Sequence, residues 1–210
     1  MLELRNIRKK FGHKLILEIP SFDLSEGIYW IGGLNGSGKT TLLKIIAGAL
    51  PFSGDVLVNG ASLKNTPVAY RKLTGYAEAE PLFPGFLSGQ EMVDFQAYLK
   101  KEKAEVLLEL IEKLRVNYFL KTGIGTYSSG MIKRLSLVLA FTGRPKLILL
   151  DEPLVTLDAE MIPAVYALIK IYRENYGTSF LLTSHQEFKD PDELISRKLL
   201  VENQTLLEIA

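Results

Sequence analysis

Lys39 and Thr40 close the stretch Gly33-Leu34-Asn35-Gly36-Ser37-Gly38-Lys39-Thr40, which fits the pattern G-x-x-x-x-G-K-[ST]. Glycines let a backbone curl closely around a phosphate chain, so that successive N–H groups and a helix N-terminus point at the anion. In that arrangement Lys39 reaches the β- and γ-phosphates, and the Thr40 hydroxyl, followed by Thr41, is placed to ligate Mg²⁺. The pattern predicts a nucleoside triphosphate site. Its surroundings agree: Ile28-Tyr29-Trp30-Ile31 reads as a strand entering the loop, and Leu42, Leu43, Ile45 and Ile46 read as the apolar face of a helix leaving it. A plain turn with a solvated lysine requires neither.

A second constellation is Leu147-Ile148-Leu149-Leu150 followed by Asp151-Glu152-Pro153. Four apolar residues in a row read as a buried parallel strand, and the acidic pair falls at its carboxyl end, where open α/β sheets place their ligands. Asp151 is then the expected partner of Mg²⁺, directly or through water. Glu152 is placed to orient and deprotonate an attacking water. A solvated loop after a core strand would also read Asp-Glu-Pro, but it would not be expected beside a phosphate-binding loop.

Tyr127-Ser128-Ser129-Gly130-Met131 precedes a helical run over residues 132–141 and supplies a second polar, glycine-containing helix start, another potential anion site. With this third element the chain resembles the ATP-binding cassette family, whose signature Leu-Ser-Gly-Gly-Gln occupies this place shortly before the acidic strand. Ser128 and Gly130 match it; Ser129 stands for the first signature glycine, and Tyr127 and Met131 replace the flanking leucine and glutamine. In that family the signature of one subunit contacts the γ-phosphate held by the other. The resemblance therefore implies a head-to-tail dimer with two ATP molecules at its interface.

Further landmarks of the family fall in order along nearly the whole chain. Phe11 matches the aromatic that stacks on adenine, Leu157-Asp158 the loop that follows the acidic strand and crosses the dimer, and His185 the switch histidine after Phe180-Leu181-Leu182-Thr183-Ser184. On the residues alone, Phe11 also reads as a packing aromatic, Asp158 as a helix cap and His185 as a structural histidine. One position departs from the family. Aligned on Gly75-Tyr76, the glutamine that the family places after a short strand falls on Ala79, which cannot ligate Mg²⁺ or water, and the neighbouring Glu78 and Glu80 are the candidate substitutes.

Positioning these residues requires a layered α/β unit. Short apolar segments over residues 2–32, split by Gly12, Pro20 and Gly27, predict several strands before the phosphate loop. Gly54-Asp55-Val56-Leu57-Val58 adds another that ends in the turn signal Asn59-Gly60. From about residue 86 the period changes: Met92, Phe95 and Leu99, then Leu107, Leu110, Ile111 and Leu114, recur at helical spacing and read as core stripes. Phe83 and Phe86 read as exposed aromatics. A strand at Leu147, a helix bearing Ile162, Val165, Ile169 and Tyr172, and a strand at Ser179 follow, an order that argues for a mostly parallel sheet. The expected fold is a P-loop NTPase (RecA-like) α/β core with N-terminal antiparallel strands and an inserted α-helical lobe. Its expected division is 1–85 and 141–210 for the nucleotide-binding core and 86–140 for the helical subdomain of one 210-residue cassette domain.

Composition narrows the function classes. The chain has 210 residues, 47% of them hydrophobic, which suits a globular core. No apolar stretch approaches the ~20 residues needed to span a bilayer, and Met1-Leu2-Glu3-Leu4-Arg5 lacks the order of a signal peptide. The absence of cysteine excludes disulfides, thiolate metal sites and thiol redox chemistry. A net charge of +1 gives no overall pull toward nucleic acid, and the basic cluster of Arg5, Arg8, Lys9, Lys10 and Lys14 reads as a solvated strand face. The cofactors expected are ATP and Mg²⁺.

The resemblance implies an ATPase subunit that drives a separate membrane permease, cytoplasmic and peripheral at the inner face of the membrane through that partner. The short chain and its Tyr-Ser-Ser-Gly-Met signature look more like subunits of bacterial exporters than of importers. Soluble cassette ATPases of iron–sulfur assembly or nucleic-acid maintenance are the alternative, although no sustained heptads lie between Lys39 and Ser128. A phosphate-loop GTPase or kinase would explain neither the signature nor the switch histidine.

Overall fold

Alternation of apolar and polar residues makes the first layer, interrupted by a register shift between Arg5 and Arg8 where Asn6 has a left-handed φ of 51°. In β1 (Leu2–Phe11) Leu2, Leu4 and Ile7 are buried; in β2 (Lys14–Leu24) Leu17, Ile19 and Leu24 are. The two pair antiparallel from Leu2 opposite Leu24 to Phe11 opposite Lys14. β3 (Ile28–Gly32) leads through the phosphate loop into α1 (Lys39–Ile46). β4 (Ser53–Val58) and β5 (Ala61–Ser62) follow across a turn at Asn59, whose left-handed φ of 48° suits asparagine, and complete an antiparallel sheet in the order β2-β1-β4-β5. The computed structural model describes residues 1–184 and 194–209.

After α2 (Pro67–Leu73) and β6 (Thr74–Ala77) come α3 (Gly89–Lys100), α4 (Ala104–Lys113) and α5 (Ser129–Phe141). β7 (Leu147–Asp151), α6 (Ile162–Tyr176) and β8 (Ser179–Thr183) return the chain to the sheet, and the hairpin of β9 (Arg197–Glu202) and β10 (Thr205–Ile209) ends it. The second sheet runs β10-β9-β3-β8-β7-β6, with every neighbouring pair parallel except the terminal hairpin. It is the expected α/β core with an antiparallel layer beside it.

Because successive side chains on a strand point to opposite faces, β7 feeds two cores. Leu147 and Leu149 pack with α1 and the antiparallel sheet, while Ile148 and Leu150 pack with α5, α6 and the helices before them. All four are fully buried, each contributing about 1.5–3 kcal/mol of transfer free energy. Burial on both faces is why the strand reads as an unbroken apolar run rather than an alternating one. It also fixes where Asp151 emerges, at the carboxyl end between the two cores.

Two expectations for the helical stretch are corrected. Phe95 and Leu99 are exposed, at 60% and 46%, because α3 packs through Gly89 and Val93, and a two- or six-residue step from Val93 turns the helix to its outer side. Phe83 is half-buried against the core rather than exposed, whereas Phe86 is exposed as expected. The second stripe holds: Leu110, Ile111 and Leu114 are buried. Among the described residues no helix is long and apolar enough to cross a membrane.

Candidate nucleotide-binding site

The phosphate loop is shaped by backbone geometry before any side chain acts. Gly33 has a φ of 139°, and a Cβ there would lie 2.5 Å from the Val201 carbonyl of β9 and 2.7 Å from Ser37 Oγ, so only glycine fits. Gly38 is the N-cap of α1 with a φ of 112° and makes no side-chain cap bond. The first N–H groups of α1 are thus not taken up by a capping side chain, as an anion-binding helix start requires. Leu34, Asn35 and Gly36 are exposed at the rim, Ser37 turns back to donate its N–H to the Leu34 carbonyl at 3.1 Å, and Thr40 is exposed beside the half-buried Thr41. Beside the loop lies a cavity of about 730 Å³, lined by Lys14, Leu15 and Ile16 of β2, by Gly33–Ser37, and by the β9–β10 turn at Asn203 and Gln204.

Lys39 is 6% exposed and donates to the carbonyls of Gly33 at 2.7 Å and Leu34 at 3.1 Å. Burial pulls its ammonium down, and the carboxylates of Glu152 and Asp151 act in the opposite direction. The basic and acidic residues predicted from separate motifs therefore lie within electrostatic reach of one another. Asp151 is buried; its Oδ1 accepts from Thr183 Oγ1 at 2.5 Å, and its Oδ2 takes no hydrogen bond among the described residues. An ionised oxygen buried without a donor is costly, which makes it fit to face a cation. Glu152 follows with a left-handed φ of 48°, a conformation that costs a non-glycine residue about 1–2 kcal/mol, and its N–H is held by Thr183 Oγ1 at 3.1 Å. Thr183 thus fixes both acidic residues from the neighbouring strand.

A family model described as ABC transporter matches residues 17–155. The chain belongs to that family. Curated relatives of this cassette include the spermidine/putrescine import ATP-binding protein PotA of Mycoplasma mycoides subsp. mycoides, 30% identical over 99% of this chain and 60% of that protein. Another is an uncharacterized ABC transporter ATP-binding protein, YdbJ, of Bacillus subtilis, 33% identical over 96% of this chain and 66% of that one. The chain spans about three fifths of the length of the first of these. A solved ATP-binding subunit of an ABC transporter superposes on the whole chain with a TM-score of 0.88 at 22% identity, covering 90% of that chain. A dimeric, post-hydrolysis cassette bound to ADP and Pi does so with a TM-score of 0.81 at 20% identity, covering 98%. At these identities the structural likeness shows the fold.

The turn at Tyr127–Met131 that resembles the family signature is built differently from the phosphate loop. Ser128 is the exposed N-cap of α5; its Oγ accepts from the Met131 N–H at 3.2 Å, and the Met131 thioether accepts from the Ser128 N–H at 3.5 Å. Met131 fills the place of the family's glutamine as a weaker capping partner. Tyr127, in place of the leucine, is buried; its hydroxyl donates to the Phe119 carbonyl at 2.8 Å and accepts from Gly89 N–H at 3.2 Å, tying α5 to the start of α3. Gly130 permits a close approach, since a Cβ there would lie 2.9 Å from the Thr156 carbonyl in the loop after Glu152.

Other predicted residues are placed as follows. Phe11 is 51% exposed at the end of β1, with the Lys9 ammonium 4.7 Å from its ring centroid, so it is not a core aromatic. Asp158 is exposed, and its side chain makes no cap bond to the short 3-10 turn at Ala159–Met161. His185 lies outside the described residues. Glu78 is paired with Lys44 of α1 at 3.2 Å, and Glu80 is exposed.

Three participants were not picked out from the sequence. Thr183 read only as strand, the terminal hairpin that abuts Gly33 was not anticipated, and Lys133 was hidden within the apolar run of α5. Lys133 is 1% exposed and donates to the carbonyls of Glu78 at 2.7 Å, Ala79 at 2.8 Å and Asp151 at 3.4 Å. Burial lowers its pKa to about 8 against the opposing pull of Asp151, Glu152, Glu78 and Glu80. A charged residue inside an otherwise apolar helical stripe was the available signal.

Proposed function

We propose that the chain is the ATP-hydrolysing subunit of an ABC transporter, acting as a head-to-tail dimer beneath a separate membrane permease at the inner face of the membrane. The convergence of Lys39, Asp151 and Glu152 at the carboxyl edge of the parallel sheet carries this reading. Lys39 exchanges its loop carbonyls for the β- and γ-phosphates, and the N–H groups of the loop and of α1 receive the rest of the phosphate charge. Phe11, exposed at the end of β1, stacks on adenine. Thr40 and Asp151 would hold Mg²⁺, which would supply positive charge to offset that of the phosphates. Glu152, fixed by Thr183, orients the attacking water and accepts its proton.

Ser128 and Gly130 meet the γ-phosphate of the second subunit, Asp158 crosses to it, and His185 contacts the γ-phosphate. Family membership and the dimeric form of a structurally similar cassette support this arrangement. In this reading residues 1–85 and 141–210 form the nucleotide-binding core and 86–140 the helical subdomain. On direction, the short chain and its signature suggested export, but named relatives are import proteins, and they weigh toward import. Phosphate release from ATP by the purified chain tests the reading: turnover that falls by about 10²–10⁴-fold in Glu152→Gln supports it, and turnover unaffected by that change overturns it.

A further inference from the structure

The buried ammonium of Lys133 joins three segments that the site needs in register. It projects from the second turn of α5, the helix that Ser128 caps, and donates to the carbonyls of Glu78 and Ala79 just beyond β6 and to the carbonyl of Asp151 at the end of β7. An ammonium has three N–H donors, and all three find acceptors here. Taking a cation out of water is expensive, and an apolar side chain of the same volume would often stabilise a core as well or better. What the apolar substitute could not do is hold two loop carbonyls and the catalytic strand to one point.

We propose that Lys133 is a positioning residue for ATP hydrolysis, pinning the loop at Glu78 and Ala79 to the signature helix and to the strand that carries Asp151 and Glu152. The inference rests on the ATPase reading above. It also accounts for Ala79. That position has no side chain to engage the site, and Glu78 is paired with Lys44, so the loop is tied to the site through its backbone by Lys133. A displacement of the loop is thereby passed to the catalytic strand and to the start of α5 through one side chain.

Two variants test this. Lys133→Met keeps length and removes every donor; Lys133→Gln keeps two amide donors without the charge. For Lys133→Met, ATP affinity by calorimetry should stay within about twofold while kcat falls about tenfold or more, the effect expected of misplacing rather than removing a catalytic group. Hydrogen exchange of the amides of Glu78, Ala79, Glu80 and Leu82 should quicken. Lys133→Gln should retain kcat within about threefold. The proposal is overturned if Lys133→Met leaves kcat and exchange at wild-type values, or if its kcat loss is matched by an equal loss of ATP affinity. Should Lys133→Met fail to fold, Lys133→Leu, which also removes every donor, is read in its place: a tenfold loss of turnover with quicker exchange and unchanged ATP affinity supports the proposal, and wild-type turnover and exchange refute it. If the wild-type chain hydrolyses no ATP, the ATPase reading fails by itself, and the exchange of the Glu78, Ala79, Glu80 and Leu82 amides still reports whether Lys133 pins the loop.

Discussion

At the start of α1 the cap is Gly38, left-handed and without a side-chain bond, whereas at the start of α5 Ser128 caps the helix by accepting from the Met131 N–H. The phosphate loop leaves its helix donors for a ligand and folds the buried Lys39 back onto its own carbonyls in the meantime. The turn at Ser128 caps two of its N–H groups within the chain, through the Ser128 hydroxyl and the Met131 thioether, and presents an exposed Ser128 to the outside. On the function proposed, one helix start is completed by an anion it binds, and the other, partly capped by its own side chains, adds a contact to an anion held elsewhere. That asymmetry is the physical sense of a head-to-tail pair, in which the first kind of site on each chain faces the second kind on its partner.

The largest expected effect leaves both helix starts intact. Glu152→Gln should cut phosphate release by about 10²–10⁴-fold while ATP affinity, read by calorimetry, stays within about threefold. Breaking the first helix start is next. Lys39→Ala removes charge-assisted contacts worth about 1.5–3 kcal/mol, so ATP should bind roughly ten- to a hundredfold more weakly. Unchanged affinity would remove Lys39 from the site.

Phe11→Ala sharpens the same half of the comparison, because stacking is blind to the γ-phosphate. Loss of about 0.5–1.5 kcal/mol should weaken ATP and ADP alike, by roughly two- to tenfold. A loss confined to ATP would contradict that placement. The smallest effect belongs to the loop that Lys133 holds: Ala79→Gln should alter turnover by no more than about twofold, ~0.4 kcal/mol, since the backbone rather than a side chain ties this loop to the site. A tenfold rise would show that the missing glutamine limits the wild-type enzyme.

Much of this was legible in the sequence because the relevant signals are local. The phosphate loop needs its glycines at fixed places, and the doubly buried β7 announces itself as an unbroken apolar run ending in Asp151. Thr183 and Lys133 were not legible as partners of Asp151, since their roles arise only when β8 and α5 are laid against β7. Tertiary packing also decided which way α3 faces. The stripe of Met92, Phe95 and Leu99 has helical period, but Gly89 lies close against Tyr127 and Leu120 and Val93 is buried in the core shared with α5, and Phe95 and Leu99 are left outside. Periodicity identified the helix without choosing its buried face. Tyr127 departs from the family's leucine in the sequence, and the structure gives the reason: its hydroxyl is spent on Phe119 and Gly89 rather than on nucleotide.

The central claim, that two such chains close on ATP with each signature turn facing the other's phosphate loop, is tested most directly by light scattering on Glu152→Gln at tens of micromolar protein. With ATP and Mg²⁺ the mass should double, because ATP persists and both helix starts engage it; with ADP it should return to that of the monomer. Adding Ser128→Arg should abolish the doubling while ATP affinity of each chain stays within about threefold, since only the second helix start is blocked. A Glu152→Gln chain that binds ATP yet remains monomeric, or a Ser128→Arg partner that dimerises as before, would contradict the account.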